Sequence, residues 1–125
     1  MKCISIEQVC KLHEKMSFAT GGESGIRDLS LLESALNNAF TTFDGIELYP
    51  SVEEKCANIC YCLVSNHPFV DGNKRIGIYV MLVLLEYNDI SLHFTQRDLI
   101  ELGLGIAEGR YRQEYIMNWI RQHVI

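Results

Sequence analysis

Proline is scarce in this chain, two residues among 125, and with glycine at only nine there is no room for a low-complexity tail. That scarcity argues against disorder. A cationic excess is missing too: 11 Lys and Arg against 16 Asp and Glu leave a net charge of -5, which excludes a nonspecific nucleic-acid binder with a basic face for phosphates. Any anion site must therefore be local. The five cysteines (Cys3, Cys10, Cys56, Cys60, Cys62) are odd in number and form no Cys-x-x-Cys pair, and no signal-peptide pattern precedes them, so a reducing cytoplasm is the expected compartment. Cys60, Cys62 and His67 match no common zinc spacing and lack a fourth ligand, which leaves the cysteines as packing residues. A membrane span is also absent: the longest apolar stretch, Ile76 to Leu85, is broken by Gly77 and falls far short of the ~20 residues a bilayer requires. It reads as a buried core helix.

What remains is a globular composition, 48% apolar and 22% charged, in a length suited to one domain spanning residues 1–125. Helix starts are legible as a cap oxygen followed three residues later by an acid or amide. The pattern recurs at Ser5 with Gln8, Ser30 with Glu33, Ser51 with Glu54, and Thr95 with Asp98. From Ser5, the positions Ile6, Val9, Cys10, Leu12, His13 and Met16 follow helical spacing until Thr20-Gly21-Gly22 stops them. Leu31, Leu32, Ala35, Leu36 and Ala39 form a second stripe. Cys56, Ala57, Cys60, Tyr61 and Val64 form a third, which ends at His67-Pro68 because proline disfavours helical geometry in the residue before it. Asn73 to Asn88 is apolar on nearly every face, the pattern of a central helix surrounded by others. A last helix is expected from Arg112 to His123 with Tyr115, Ile116, Trp119 and Ile120 inward. Phe40 to Pro50, which contains Asp44-Gly45, is the candidate for a short hairpin flap, and Ile90 to Phe94 for one short strand. The fold class is all-α: a compact helical bundle around a buried central helix.

The chemistry is concentrated in His67-Pro68-Phe69-Val70-Asp71-Gly72-Asn73-Lys74-Arg75. A loop that feeds through Gly72-Asn73 directly into a helix leaves backbone N–H groups free at the positive end of the helix dipole. Gly72 permits close approach of a phosphate, and Lys74 and Arg75 add cationic donors. Asp71 supplies a hard carboxylate, and Mg²⁺ is commonly held by one or two carboxylates together with substrate phosphate oxygens, so the set suits a metal–nucleotide complex. His67 has a side chain able to take a proton from an incoming hydroxyl near neutral pH. Singly, each residue has an ordinary reading: a hydrogen-bonded histidine, a turn, a solvated first helical turn. Together they do not, because two cations at a helix N-terminus oppose its dipole unless an anion binds there.

This nonapeptide resembles the signature loop of the Fic/Doc superfamily, His-x-Phe-x-(Asp/Glu)-Gly-Asn followed by Gly or Lys and then Arg. The likeness extends more weakly to Gly21-Gly22 through Asp28, Leu31 to Leu36, Phe40 to Tyr49 and the helix ending at Asn88. It implies a Fic-type helical fold and a transferase using ATP and Mg²⁺. His67 is then the general base, Asp71 the Mg²⁺ ligand, Gly72 and Asn73 part of the anion hole, Lys74 and Arg75 phosphate ligands, and Phe69 a structural anchor.

Two positions bear on the reaction that the resemblance implies. Members that transfer AMP typically carry Gly where Lys74 stands and a second Arg where this chain has Ile78. Lys74 and Ile78 point instead to the death-on-curing group, in which the nucleotide is inverted and its γ-phosphate lies near the base. The expected protein is then a toxin-type kinase that phosphorylates a Ser or Thr hydroxyl, with elongation factor Tu as the target the resemblance suggests. AMP transfer and a non-catalytic regulatory module are the alternatives. The inhibitory pattern (Ser/Thr)-x-x-x-Glu-(Gly/Asn) known in the superfamily is incomplete here, since Leu104 precedes Glu108-Gly109 at the Ser/Thr position. With a length like that of bare Doc-type toxins, this leads to the expectation of a separate antitoxin chain as restraining partner. Neither a membrane nor direct nucleic-acid binding is expected.

Overall fold

Side-chain oxygens open the helices almost everywhere the capping pattern expects them. In the computed structural model, which describes residues 1–125, Ser5 Oγ accepts the Gln8 N–H (3.2 Å), the Gln8 side chain accepts the Ser5 N–H (2.9 Å), and α1 (Ile6–Thr20) begins. Thr95 and Asp98 make the same reciprocal pair at the head of α5 (Gln96–Ala107), and Ser51 Oγ accepts the Glu54 N–H at the head of α3 (Val52–Asn66). Ser30 is the exception. The cap of α2 (Leu29–Asn37) is Asp28, whose Oδ1 accepts both the Leu31 N–H (3.1 Å) and the Ser30 hydroxyl (2.6 Å). A carboxylate complements the helix dipole better than a hydroxyl, so Ser30 becomes a donor to the cap instead of the cap. The Ser30 hydroxyl and then the Leu31 N–H hold the Asp28 carboxyl below its ordinary range.

A single 3-10 turn (Asn38–Phe40) leads from α2 into a two-stranded hairpin, β1 (Thr42–Phe43) and β2 (Ile46–Glu47). Both turn residues between the strands, Asp44 and Gly45, have positive φ (53° and 79°), as a tight hairpin of this twist requires. The chain following the hairpin is tied down by Lys55 of α3, a buried lysine whose Nζ donates to the Tyr49 carbonyl and lies 3.1 Å from Glu47 Oε1. The hairpin itself stays exposed, with Phe43 and Ile46 turned to solvent.

α3 and α4 (Asn73–Tyr87) form the centre. α3 packs against α2, α4, α5 and α6 (Gln113–His123), and α4 packs against α1, α3 and α5. Ile76, Val80, Met81, Leu84 and Leu85 of α4 join one hydrophobic cluster of 24 buried residues; Ile78 is buried with them and Leu82 is half-buried. Gly77 sets the spacing. A Cβ there would lie 2.6 Å from Val64 Cγ2 and 3.1 Å from the Cys60 carbonyl, so only hydrogen lets the two helices meet at this point.

Two expected details differ. Tyr115 does not face inward; it is exposed and stacks on Tyr111 (3.7 Å between centroids, 6° between planes), while Ile116, Trp119 and Ile120 form the buried face of α6. Ile116, Trp119 and Ile120 already supply a complete helical stripe, and one position earlier points away from it. Ile90 to Phe94 is not a strand either, but a single bridge between Leu92 and Val124 flanked by bonds from His93 N to His123 O and from Ile125 N to Ser91 O. Its partner is Val124, the residue after α6, and one bridged pair makes no ladder.

Gly77→Ala is expected to lower stability by about 1–3 kcal/mol, since overpacking against backbone outweighs the better helix propensity of alanine. Urea denaturation should show a lower midpoint at unchanged slope; an equal or higher midpoint would contradict the close crossing. Burial pushes the Cys56 thiol up to about 12 and that of Cys60 further. Under native conditions at neutral pH iodoacetamide should label the exposed Cys3 and spare Cys56 and Cys60 until the chain is unfolded, as read by peptide mass spectrometry.

Candidate active site

The turn from His67 to Gly72 connects the two central helices and is closed by a side chain. Asn73 Oδ1 accepts the Phe69 N–H (2.9 Å) and Asn73 Nδ2 donates to the Phe69 carbonyl (3.0 Å), so one carboxamide satisfies both backbone groups of the residue four positions earlier. Asn73 is itself buried. Phe69 is driven into the core at 2% exposure, and its neighbours Val70 and Asp71 are left on the surface.

The segment 25–28 supports the turn from outside. Ile26 and Phe69 form a β-bridge, Val70 N donates to Gly25 O, and the N–H groups of Arg27 and Asp28 both donate to Pro68 O. Arg27 adds its guanidinium, with Nε donating to the His67 carbonyl (2.6 Å) and a terminal nitrogen to the Asn66 carbonyl (3.0 Å). These are the last carbonyls of α3, where a cation is favoured by the helix dipole. His67 ends α3 in the left-handed region (φ 49°), so the main chain turns away at once. Its imidazole is exposed and has no hydrogen-bond partner within the protein, which leaves a ring nitrogen free to meet an incoming hydroxyl.

At the far end Gly72 precedes α4 in the left-handed region (φ 76°), and a Cβ there would lie 2.9 Å from Met16 Cε. The backbone conformation favours glycine, and a Cβ would in addition make the Met16 methyl shift. No side chain caps α4. Ile76 is the first residue of the helix whose N–H is bonded to the backbone, to Gly72 O, so the N–H groups of Asn73, Lys74 and Arg75 precede the hydrogen-bonded ladder. Asp71 accepts the Gly72 N–H on Oδ1 (2.8 Å) and, weakly, the Glu23 N–H on Oδ2 (3.4 Å). His67, Val70, Asp71, Gly72, Asn73, Lys74 and Arg75 together line an open cavity of about 370 Å³. Every sequence-predicted site residue is therefore in one place.

The donor set fits a phosphate chain. Uncapped N–H groups, an ammonium and a guanidinium share one wall, and the exposed Asp71 carboxylate is beside them. Nowhere do three His, Cys, Asp or Glu side chains converge, so a Mg²⁺ held by Asp71 would need phosphate oxygens to complete its shell, the ordinary manner for that ion. Lys74 and Arg75 also border a second, apolar groove of about 410 Å³ between α4 and α5, lined by Met16, Ile78, Leu82 and Leu99. Ile78 belongs to this groove and not to the polar cavity. The Lys74 stem lies against α5 at Gly103, where a Cβ would come within 3.2 Å of Lys74 Cγ.

Asn73, expected to form part of an anion hole, spends its side chain on the clamp and keeps its backbone N–H outside the helical ladder. Arg27 and His13 were not singled out for the site. An arginine near an Asp-Leu helix start carries no sign that it reaches a turn 40 residues later, and His13 read as one more member of an apolar stripe.

Comparison with known proteins places the chain in a family. Residues 3–85 match the model of the Fic/DOC family, a stretch that runs from the residues before α1 well into α4 and contains the whole signature. Toxin Doc from Mycolicibacterium smegmatis is 37% identical over 76 residues, which cover 61% of this chain and 58% of that protein. The chain thus spans somewhat over half the length of this curated relative. With two thirds of its residues inside the family match and the signature turn built as one site, the chain belongs to the Fic/Doc family.

Proposed function

We propose that this protein is a toxin-type protein kinase that moves the γ-phosphoryl group of ATP onto a Ser or Thr hydroxyl of another protein. The observation that carries the reading is the cavity at the head of α4, lined by uncapped N–H groups, Lys74, Arg75 and an imidazole with no partner of its own. His67 takes the proton of the target hydroxyl, the oxygen forms a bond to the γ-phosphorus, and the bond to the β-phosphate oxygen breaks with ADP as leaving group. Asn73, Lys74 and Arg75 hold the phosphates through their N–H groups and cationic side chains. Asp71, together with phosphate oxygens, would hold a Mg²⁺ ion, which would neutralise charge on the phosphate chain.

Transfer of the γ- and not the α-phosphorus is supported by Ile78. A second phosphate-binding arginine at that helical position is replaced by an apolar side chain that is 9% exposed and faces the groove beside α5. A terminal phosphate placed there would lose its counter-charge; an inverted nucleotide avoids that loss. Likeness to Toxin Doc supports the toxin role, and with it a separate antitoxin chain as inhibitor. Elongation factor Tu is the candidate target that the Doc resemblance names. No helix is long and apolar enough to cross a membrane.

His67→Ala should reduce transfer by about 10²–10⁴-fold, the usual value of a general base, with Mg-ATP affinity within a few-fold of wild type and growth arrest lost on expression. Near-wild-type turnover would require another base. Incubation of the antitoxin-free protein and Mg²⁺ with a cell extract and ATP labelled at either phosphorus distinguishes the products. Label is expected in protein from γ-labelled ATP only, and only with His67 intact. His67-dependent label from α-labelled ATP alone would replace the kinase reading by AMP transfer, and no label from either would favour a regulatory binding module.

A further inference from the structure

His13 is the most deeply buried of the four histidines, 1% exposed in the middle of α1, yet it belongs to the site. Its ring lies flat on Phe69 (3.9 Å between centroids, 8° between planes) and its Nε2 is 2.7 Å from the carbonyl oxygen of Asp71. A carbonyl only accepts, so Nε2 carries the proton and donates. This bond acts on the part of the turn that bears the chemistry.

We infer that His13 is a positioning residue that presets the anion-binding face of the turn by fixing the Asp71–Gly72 peptide plane. The peptide is trans, as all are in this chain, so its C=O and N–H point in opposite directions. Drawing the Asp71 carbonyl inward to His13 therefore turns the Gly72 N–H outward, where Asp71 Oδ1 now accepts it at 2.8 Å. An arriving phosphate oxygen has only to displace that carboxylate oxygen, which is then released for a cation. Met16 and His13 also lie on the inner side of Gly72, where a Cβ would meet Met16 Cε at 2.9 Å and His13 Nε2 at 3.6 Å, so α1 packs directly against the residue whose N–H it orients. α1 thus supplies a donor to the phosphate loop without touching substrate. The inference rests on the reading of this turn as a phosphate site, but not on which phosphorus is transferred.

The ring and the donor are separable. His13→Phe keeps the stack on Phe69 and removes the hydrogen bond; His13→Gln keeps an amide donor at similar reach and removes the stack. If positioning by the donor matters, the Phe variant should lose about 10- to 100-fold in kcat and in Mg-ATP affinity, as supporting-shell substitutions do, with the KM for target protein unchanged, and the Gln variant should recover most of it. A packing role predicts the reverse order, with Phe benign and Gln harmful, and that result would overturn the inference. Two measurements on the nucleotide-free full chain judge it independently of any reaction. Nitrogen-15 NMR should find the wild-type ring as the Nε2–H tautomer, and the Gly72 amide resonance should move in His13→Phe but return toward wild type in His13→Gln. An Nδ1–H tautomer, or a Gly72 amide indifferent to His13→Phe, would refute it. Should the wild type bind Mg-ATP yet transfer nothing, the kinase reading fails while binding still ranks the two variants; should either variant unfold, the tautomer of the wild type still decides.

Discussion

One carboxamide holds the working part of this protein together. An exposed turn between two helices has no core of its own, and charged groups on it would drift unless its backbone were fixed. Asn73 fixes it by taking both the N–H and the C=O of Phe69 within the protein interior, where leaving either unpaired costs about 1–3 kcal/mol. Closure of that ring sends Phe69 into the core and leaves Asp71 and Gly72 outside. The first turn of α4 is left open because its cap position is Gly72, which has no side chain to offer. Arg27 and His13 then brace the outer and inner sides of the same turn, one from the loop before α2 and one from α1. The rigidity of the site is thus tertiary, assembled from three segments far apart in the chain.

The same turn carries a deliberate electrostatic misfit. Lys74 and Arg75 stand at the positive end of α4, where each cation costs roughly 0.3–1 kcal/mol in an exposed position. The chain as a whole is acidic, so this is not the edge of a basic surface. The unfavourable term disappears when an anion binds between the cations and the free N–H groups. Stability is given up locally, and the gain is an anion site that is organised before its ligand arrives.

Much of this was legible in the sequence because it is written in local chemistry. Ser5, Ser51 and Thr95 cap the helices they precede, the Asp44-Gly45 pair turns the hairpin, and the all-round apolar pattern after Asn73 marks a central helix. His67 through Arg75 could be read as one unit since the nine residues are contiguous. What stayed hidden depends on contacts across the fold. Ser30 looked like a cap, but Asp28 opens the helix two residues earlier and accepts the Leu31 N–H with a full charge. Tyr115 fitted an apolar stripe and found a better surface partner in Tyr111. His13 and Arg27 reach the turn across 58 and 40 residues, a separation that no spacing rule encodes. Lys55 is hidden for a related reason: a lysine in a first helical turn reads as solvated, and only the fold shows it buried beneath the hairpin's exit.

The central claim is that the wall at the head of α4 holds ATP with its γ-phosphate toward His67. A crystal structure of the wild-type protein with Mg²⁺ and a non-hydrolysable ATP analogue tests it most directly. The account predicts phosphate oxygens on the N–H groups of Asn73 to Arg75, the ion on Asp71, and the γ-phosphorus as the phosphorus nearest the His67 ring. The α-phosphorus in that position, or phosphates bound away from this turn, would contradict it.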